Sequence, residues 1–181
     1  MNTKQFTEGE NHLSFSVDGV FDYSIAYLAN NYSLSQFSSD IFNVELMYGN
    51  NVFLAFLTDE NGVSIKTNKG SVLRNAVLGG VESLFDMKQP HLFYHLPLAK
   101  TSSPILDFYL VNTAISEKGN KLKVTLNKTE FIINKWAAYK ISGLNNSENT
   151  VRIQLLDKNS NSIDGPFNNS GERRFVVETN S

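Results

Sequence analysis

Hydrophobic and polar residues alternate along much of the chain, and this pattern predicts a protein built of β-strands. The clearest stretch spans residues 105–112, where Leu106, Phe108 and Leu110 occupy every second position. A strand with apolar residues at every second position buries one face against a core. The breaker cluster Ser102-Ser103-Pro104 precedes this stretch, which therefore opens a second half of the chain.

The same pattern elsewhere predicts short strands separated by turns. The predicted strands cover residues 12–18, 20–25, 42–48, 52–58 and 92–95 in the first half, and 105–112, 121–127, 129–134, 136–141, 149–157 and 173–178 in the second. Turn signals every eight to twelve residues are typical of β-sandwiches. Residues 71–78 are compatible with a strand or with a short helix ending at Gly79-Gly80. Trp136, the only tryptophan, is expected to fill a core from within a strand.

Two internal alignments predict that the sandwich is duplicated. A shift of 98 residues sets one group of five against another, namely Leu57, Asp59, Asn61, Ser64 and Ile65 against Leu155, Asp157, Asn159, Ser162 and Ile163. A shift of 109 residues sets Leu13, Phe15 and Val17 against Leu122, Val124 and Leu126. Because two segments repeat in the same order, we expect an all-β fold of two tandem immunoglobulin-like antiparallel β-sandwich domains. Chance similarity between strand-turn-strand stretches is the alternative.

The expected domain boundaries follow from the breakers. Residues 1–11 are polar and are expected to form a flexible N-terminal arm. The first sandwich is expected at 12–99 and the second at 104–181, because Pro97 and the polar residues 100–103 mark a linker between them.

Composition and charge limit the classes of function. The 181 residues include no cysteine, so disulfides and thiolate metal sites are excluded. No apolar run is long enough to span a membrane, and residues 1–10 lack the order of a secretion signal, so either the protein stays inside or a leader was removed. The net charge of −2 gives no reason to expect nucleic-acid binding. This total is the sum of a net charge of −5 in residues 1–99 and +3 in residues 100–181. The difference is either chance surface composition or a sign that two oppositely charged lobes attract each other or a partner.

Three candidate surfaces for binding follow from the residues, and the first is the groove between the two expected domains. Residues 30–40 are too polar for a core and too aromatic for a linker, and we expect a loop that displays Tyr32, Leu34 and Phe37. Recognition of an anionic ligand would need clustered cations, and the candidates are Lys123, Arg152, Arg173 and Arg174. Arg173 and Arg174 are adjacent and would point to opposite faces of a strand, so only one of them could join Lys123 and Arg152. The alternative is an ordinary solvated face.

No arrangement of residues indicates catalysis. The chain has no Gly-x-Ser-x-Gly turn, no phosphate-binding glycine loop and no cysteine, and its paired aspartates lie in predicted turns. We therefore expect a protein that is not an enzyme and needs no cofactor.

Several segments in one order carry a resemblance to a known family. The most specific is LDFYLVNT at 106–113, and the others are LAFL at 54–57, SIKT at 64–67, LFY at 92–94, KV at 123–124, EF at 130–131, Trp136, GL at 143–144 and ENT at 148–150. Together they resemble an uncharacterised family of exported, often lipid-anchored proteins of the Bacteroidetes type, whose members often carry the label phosphopeptide-binding. The resemblance covers most of the chain from about Gly9. It implies a periplasmic or cell-surface location with the leader removed, and a lipid anchor if an upstream leader was trimmed; a cytoplasmic location is the alternative.

Histidines supply a second hypothesis. The family's first strand carries a His-x-His pair after a glycine, but here His12 is followed by Ser14 in place of the second histidine. Histidines at i and i+2 share a face of a strand and can hold one metal ion, so this site is halved. His95 on another predicted strand is the candidate second ligand, with copper or zinc as the metal.

Taken together, these features predict a non-catalytic binding or structural module of the cell envelope that recognises a protein or peptide partner. The alternatives are a periplasmic copper- or zinc-binding protein that uses His12 and His95, and a structural subunit of a virus or surface appendage.

Overall fold

The structure, a computed structural model, describes residues 1–95 and 100–178. Every regular element in these residues is a β-strand, so the predicted all-β class is confirmed. The chain divides into two compact units, unit 1 (Met1–Met87) and unit 2 (Lys88–Ser181). Within the described ranges, no helix is long and apolar enough to cross a membrane.

Unit 1 is a sandwich of two antiparallel sheets. Its strands are β1 (Gly9–Ser14), β2 (Ser24–Ala29), β3 (Ser33–Phe37), β4 (Ile41–Leu46), β5 (Gly49–Thr58) and β6 (Ser71–Leu78). β1 pairs with β4, and the second sheet has the order β3-β2-β5-β6. Leu13 and Phe42 from the first sheet share one buried cluster with Tyr27 and Phe53 from the second. The two sheets therefore pack face to face around one core.

Unit 2 is a second sandwich. The strands of its described part are β7 (His91–His95), β8 (Lys100–Thr101), β9 (Ile105–Val111), β10 (Lys121–Leu126), β11 (Thr129–Ile133), β12 (Tyr139–Lys140), β13 (Glu148–Leu156) and β14 (Arg173–Val177). One sheet has the order β12-β9-β7, and the other β11-β10-β13-β14-β8. β8 runs parallel to β14, whereas the other neighbours are antiparallel. Leu92 and Phe108 from the first sheet share a buried cluster with Leu122, Ile153 and Phe175 from the second.

Six strands pair in the same way in both units. The pair β1-β4 corresponds to β9-β12, and the ladder β3-β2-β5-β6 corresponds to β11-β10-β13-β14. In each unit the chain alternates between two facing antiparallel sheets, which is the arrangement of immunoglobulin-like sandwiches. The prediction of two tandem sandwiches of this class is confirmed. Unit 2 adds β7 beside β9 and β8 beside β14.

The shift of 98 residues is confirmed by equivalent turns after β5 and β13. The Oδ1 atom of Asp59 accepts the backbone N–H of Asn61 (2.9 Å) and Val63 (3.0 Å). Asp157 Oδ1 accepts the same two bonds, from Asn159 (2.8 Å) and Asn161 (2.9 Å). These bonds lower the pKa of the Asp157 carboxyl, because they favour its charged form.

The shift of 109 residues is wrong because it aligns β1 with β10. The strand that takes the place of β10 in unit 1 is β2. Ile25 pairs with Leu57 as Leu122 pairs with Leu155, so the correct shift for these strands is 97 residues. An alternating apolar pattern has a period of two residues, so it fits any strand and cannot choose between them.

Buried asparagines close the loop before several strands. Asn51 donates to the carbonyl oxygen of Met47 (2.8 Å) and accepts the Met47 N–H (3.0 Å). Asn149, 98 residues on, makes the same two bonds with Asn145 (3.0 and 3.2 Å). A buried amide with both ends bonded specifies the turn that leads into each strand. This device is common to the two units.

The boundary between the units lies earlier than the sequence suggests. The structure ends unit 1 at Met87, whereas we expected sandwiches at 12–99 and 104–181. The reason is the strand β7, which pairs with β9 along its whole length and therefore belongs to unit 2. Pro97, on which the expected linker depended, lies outside the described residues.

The first eleven residues differ from the expected flexible arm. Residues 9–11 are part of β1, and the Asn2 backbone N–H donates to the carbonyl of Ser14 (2.7 Å). Met1 and Phe6 pack against the core of unit 1, and the Phe6 ring meets Phe53 edge-on at 5.8 Å. Most polar residues that suggested an arm are exposed, but Asn11 is buried and bonds both the N–H and the carbonyl of Thr7 (2.9 and 2.7 Å).

Two further expectations concern single elements. Residues 71–78 form the strand β6, so the helical alternative is wrong. Trp136 packs against the core of unit 2 as expected and donates from Nε1 to the Phe108 carbonyl (3.0 Å). It precedes the short strand β12 instead of lying within a strand.

Candidate functional site

Residues of the edge strand β6 line two separate clefts of unit 1, and together we call these clefts the β6 furrow. The apolar cleft, of about 380 Å³, lies beside Ser71 and Val72 at the start of the strand. The basic cleft, of about 470 Å³, lies beside residues 74–78. Among residues 1–95 and 100–178, β6 is the last strand of its sheet, and one row of its backbone N–H and C=O groups has no neighbouring strand.

The other wall of the furrow is the N-terminal segment. Thr3 Oγ1 donates to the carbonyl of His12 (3.1 Å) and accepts the N–H of Ser14 (3.0 Å), which holds residues 2–6 beside β1. Thr3 and Phe6 line the basic cleft opposite β6. In the described residues, no backbone hydrogen bond joins this segment to β6. The segment covers the core but leaves the edge of β6 unpaired.

The equivalent edge in unit 2 is closed by the chain itself. β14 takes the place of β6, and β8 pairs with it at Val176 and Val177. Counting from the equivalent Asn51 and Asn149, these two positions correspond to Val77 and Leu78 of β6. Unit 1 therefore lacks the strand that β8 supplies in unit 2, and the basic cleft lies where that strand would run.

A small side chain of β6, Ala76, lines the basic cleft. Ala76 pairs with Asn51 as Phe175 pairs with Asn149, so Ala76 and Phe175 are equivalent. Both face the core of their unit and both are buried. The unit 1 core is completed instead by Phe53 and Phe6, the second of which comes from the N-terminal segment.

Cations gather at the β6 furrow although unit 1 is acidic. Unit 1 has four basic and ten acidic residues, a net charge of −6. Three of the four cations line the furrow, Lys69 in the apolar cleft and Lys4 and Arg74 in the basic cleft. In the described part of the chain none of the three has a carboxylate within ion-pair distance. One carboxylate, Asp18, also lines the apolar cleft.

The expected loop at 30–40 is interrupted by a strand, because five of its eleven residues, Ser33–Phe37, form β3. Asn30 and Asn31 both adopt a left-handed backbone (φ of 49° and 51°), which asparagine tolerates better than most residues. The Tyr32 N–H bonds to the Ala29 carbonyl (2.9 Å) and closes a tight turn between β2 and β3.

The three side chains assigned to that loop are not brought together. Tyr32 is 81% exposed at the turn. Leu34 is half-buried on the outer face of the sheet, opposite Leu28. Phe37 faces the core and stacks on Phe42 with ring centroids 3.9 Å apart.

The predicted anionic-ligand set is partly brought together. Lys123, Arg152 and Arg174 share the outer face of the five-stranded sheet, because their neighbours along each strand face the core. Arg173 faces the opposite way. The three cations on the shared face are already engaged: Lys123 with Glu130 (3.3 Å), Arg174 with Glu148 (3.1 Å) and Arg152 Nε with Asn169 (3.0 Å).

The two predicted metal ligands lie in different units. His12 is exposed on β1, with its Nδ1 2.8 Å from Asn43 Oδ1. His95 lies on β7 opposite Asp107; burial lowers the pKa of its imidazole, and the negative charge of Asp107 opposes that shift. No group of three His, Cys, Asp or Glu residues that could hold a metal ion occurs within 1–95 and 100–178.

Sequence reasoning missed the β6 furrow. The residues facing the core from β6 are Val72, Arg74, Ala76 and Leu78, and this mixture is compatible with a strand or with a short helix. An alignment by 98 residues sets Lys100-Thr101 against Asn2-Thr3, so the sequence alone could not show that the first pair forms a strand on β14 whereas the second pair, among the described residues, makes no backbone hydrogen bond to β6.

Comparison with known proteins adds little to this geometry. Neither the models of known protein families nor the curated proteins contain a match to the chain. Among solved structures, the fibronectin(III)-like modules of Clostridium thermocellum CbhA superpose with a TM-score of 0.33 at 8% sequence identity, over 94% of this chain and 87% of that one. A TM-score this low supports no argument, so the immunoglobulin-like class rests on the strand pairing within each unit.

Proposed function

We propose that the chain is a non-catalytic binding module that captures an extended segment of a partner protein by adding it as a strand to β6. The observation that carries this proposal is the unpaired edge of β6 at the positions where unit 2 holds its own strand β8. The partner would supply to unit 1 the strand that unit 2 has within its own chain.

The physical basis is the pairing of backbone groups. An added strand bonds the free N–H and C=O groups of a sheet edge, and pockets beside the edge select alternate side chains of the guest. The β6 furrow offers both parts. Its two clefts lie beside different parts of β6, Val72 in the apolar cleft and residues 74–78 in the basic cleft. Since a guest strand rises about 3.3 Å per residue, a segment of about eight residues would span the strand.

A peptide-display selection against the full chain tests the proposal. We expect selected peptides to slow amide hydrogen exchange in Ser71–Leu78 and not in β14. Each selected peptide is then made in two N-methylated forms, one methylated at odd residues and one at even residues. Because only one edge of the guest pairs with β6, one form should lose binding and the other should keep it.

The control for the selection is the equivalent edge of unit 2. β14 is covered by β8, so peptides should not protect Val176 or Val177. Peptides that bind equally well in both N-methylated forms, or that leave exchange in β6 unchanged, would contradict strand addition.

We also propose a location in the cell envelope, which the sequence resemblance supports. Fractionation of the source cells with an antibody against the chain tests it. We expect the protein with the membrane or periplasmic fraction, and recovery with the cytosol alone would contradict the proposal.

A further inference from the structure

We infer that the captured segment runs parallel to β6 and carries a large apolar residue followed, two residues later, by a carboxylate. This inference rests on the proposed function and specifies the chemical class of the partner segment. It follows from the direction of β8, the order of the two clefts along β6 and the charge of the furrow.

The direction follows from unit 2. β8 runs parallel to β14, with Lys100 beside Val176 and Thr101 beside Val177. The Glu178 N–H donates to the Thr101 carbonyl (2.9 Å) and continues this pairing. Since β6 and β14 occupy the same place in equivalent sheets, a guest in the position of β8 would also run parallel to its host strand.

The order of the clefts then determines the order of the side chains. A parallel guest enters beside Ser71 and leaves beside Leu78, so it meets the apolar cleft before the basic cleft. The apolar cleft is lined by core residues, among them Phe15, Ile25 and Leu57. A large apolar side chain of the guest would therefore be buried near its N-terminal end.

The spacing of two residues follows from the register of β6. Val72 pairs with Ala55 and Arg74 pairs with Phe53, and both partners belong to the core cluster. Val72 and Arg74 therefore face the same side of the sheet, about 7 Å apart along the strand. Guest side chains beside them would be at i and i+2.

The carboxylate follows from the cations of the basic cleft. Lys4 and Arg74 both line this cleft, Lys4 from the N-terminal segment and Arg74 from β6. A guest Asp or Glu beside Arg74 would lie near two cations, whereas a guest Lys or Arg would be repelled by both. The remainder of unit 1 is strongly acidic, so the furrow is the part of this unit to which an acidic segment would be attracted.

Two peptides of identical composition test the direction and the order. The forward peptide is Ser-Thr-Phe-Thr-Glu-Thr-Glu-Thr-Ser, and the reversed peptide is Ser-Thr-Glu-Thr-Glu-Thr-Phe-Thr-Ser, each blocked at both ends and fluorescently labelled. We expect the forward peptide to bind the full chain at least about tenfold more tightly in fluorescence anisotropy, a difference of about 1.4 kcal/mol. The reversed peptide can present the same side chains to the clefts only by running antiparallel to β6, so tighter binding of that peptide would overturn the inference.

A charge exchange tests the carboxylate. Arg74→Glu should weaken binding of the forward peptide about fivefold or more. A forward peptide with lysine in place of both glutamates should instead bind the Arg74→Glu protein more tightly than the unchanged protein. Lys128→Glu is the control, because it changes the net charge of the chain equally at an exposed turn of unit 2. Equal weakening by both protein variants, or no effect of either, would overturn the assignment of Arg74.

The outcomes separate this inference from the proposed function. If both peptides bind equally and both protect β6 from exchange, strand addition stands and the inferred order is wrong. If neither protects β6, both proposals fail. If the chain alone forms dimers in sedimentation that protect β6, a second copy is the occupant and the inferred partner class is overturned.

Discussion

The strands β6 and β14 occupy the same place in equivalent sheets but end differently. β14 is covered by β8 from its own chain, whereas β6 is the edge of its sheet and borders two clefts. The same fold can therefore have a closed side or an open side, depending on whether the chain supplies one short strand. An exposed edge is a liability for aggregation. Of the two equivalent strands β6 and β14, only β6 is such an edge among the described residues.

The cores of the two units are closed by different residues. Unit 2 places Phe175 of β14 at its centre, while unit 1 has Ala76 at the equivalent position and fills the space with Phe53 and Phe6. Phe6 comes from a segment that pairs with β1 and not with β6. Unit 1 thus closes its core without closing its edge.

The largest expected effect is on the stability of unit 2, in which β8 covers the edge of β14. Phe175→Ala should lower the free energy of unfolding of unit 2 by about 3–5 kcal/mol, because it removes a fully buried ring and leaves a cavity. The single tryptophan, Trp136, packs on this core and reports its unfolding in urea by fluorescence. A loss below about 1 kcal/mol would show that Phe175 is not the residue that closes this side.

The next expected effect should be equal in the two units. Asn51→Ala and Asn149→Ala should each cost about 2–3 kcal/mol, because each leaves buried backbone groups of the preceding loop without a partner. Urea unfolding followed by circular dichroism for the first variant and by Trp136 fluorescence for the second measures both costs. Costs that differ by more than about 2 kcal/mol would contradict the equivalence of the two loops.

A smaller effect concerns Tyr27 in the core of unit 1. Its hydroxyl has no hydrogen-bond partner among the described residues, and burial raises its pKa to about 12 from an ordinary value of 10.0. Below pH 10 the group is neutral in both states, so its ionisation contributes nothing to the pH dependence of stability. Between pH 10 and 12 only the unfolded chain loses this proton, and stability falls by about 1.4 kcal/mol per pH unit.

The variant Tyr27→Phe tests this account. It should raise the free energy of unfolding at pH 7 by about 1 kcal/mol, because a buried unpaired hydroxyl is removed. It should also weaken the decline above pH 10. Urea unfolding of both proteins at pH 7 and pH 11 gives the two differences, and a destabilised variant at pH 7 would show that the hydroxyl has a partner.

The smallest expected effect on stability concerns the opposite edges, β3 and β11. Phe131 and Ile132 of β11 are 50% and 56% exposed, and their equivalents in β3 are Ser35 and Gln36. Phe131→Ser combined with Ile132→Gln gives these two positions of β11 the residues that β3 has there. Unfolding energy should change by less than about 1 kcal/mol, whereas self-association measured by light scattering should decrease. Unchanged scattering would show that this apolar edge does not drive association.

The fold could be predicted from the sequence mainly where local patterns decide it. In the second half, strand positions such as 121–127 and 173–178 were close to β10 and β14, because alternation and turn residues are local signals. The Asp59 and Asp157 turns were found by their spacing. Pairing was harder to predict, because strands that follow each other in sequence often pair, whereas β1 pairs with β4.

The candidate site could not be predicted, because it depends on an absence. The β6 furrow exists where a strand is missing and where alanine replaces phenylalanine, and neither leaves a motif. The aromatic residues of 30–40 were the stronger sequence signal, but Phe37 serves the core. The pairing of β10 with β13 was needed to show that Lys123 and Arg152 lie on the same face of a sheet.

The most direct test of the central claim is amide hydrogen exchange at equivalent residues of the free protein. One of the two amides of Val77 and Leu78 faces away from β5, and the account predicts that this amide exchanges rapidly. The corresponding amide of Val176 or Val177 should exchange slowly, because β8 pairs with that edge. Equal protection of both edges in the monomeric protein would show that β6 is already paired and would contradict the account.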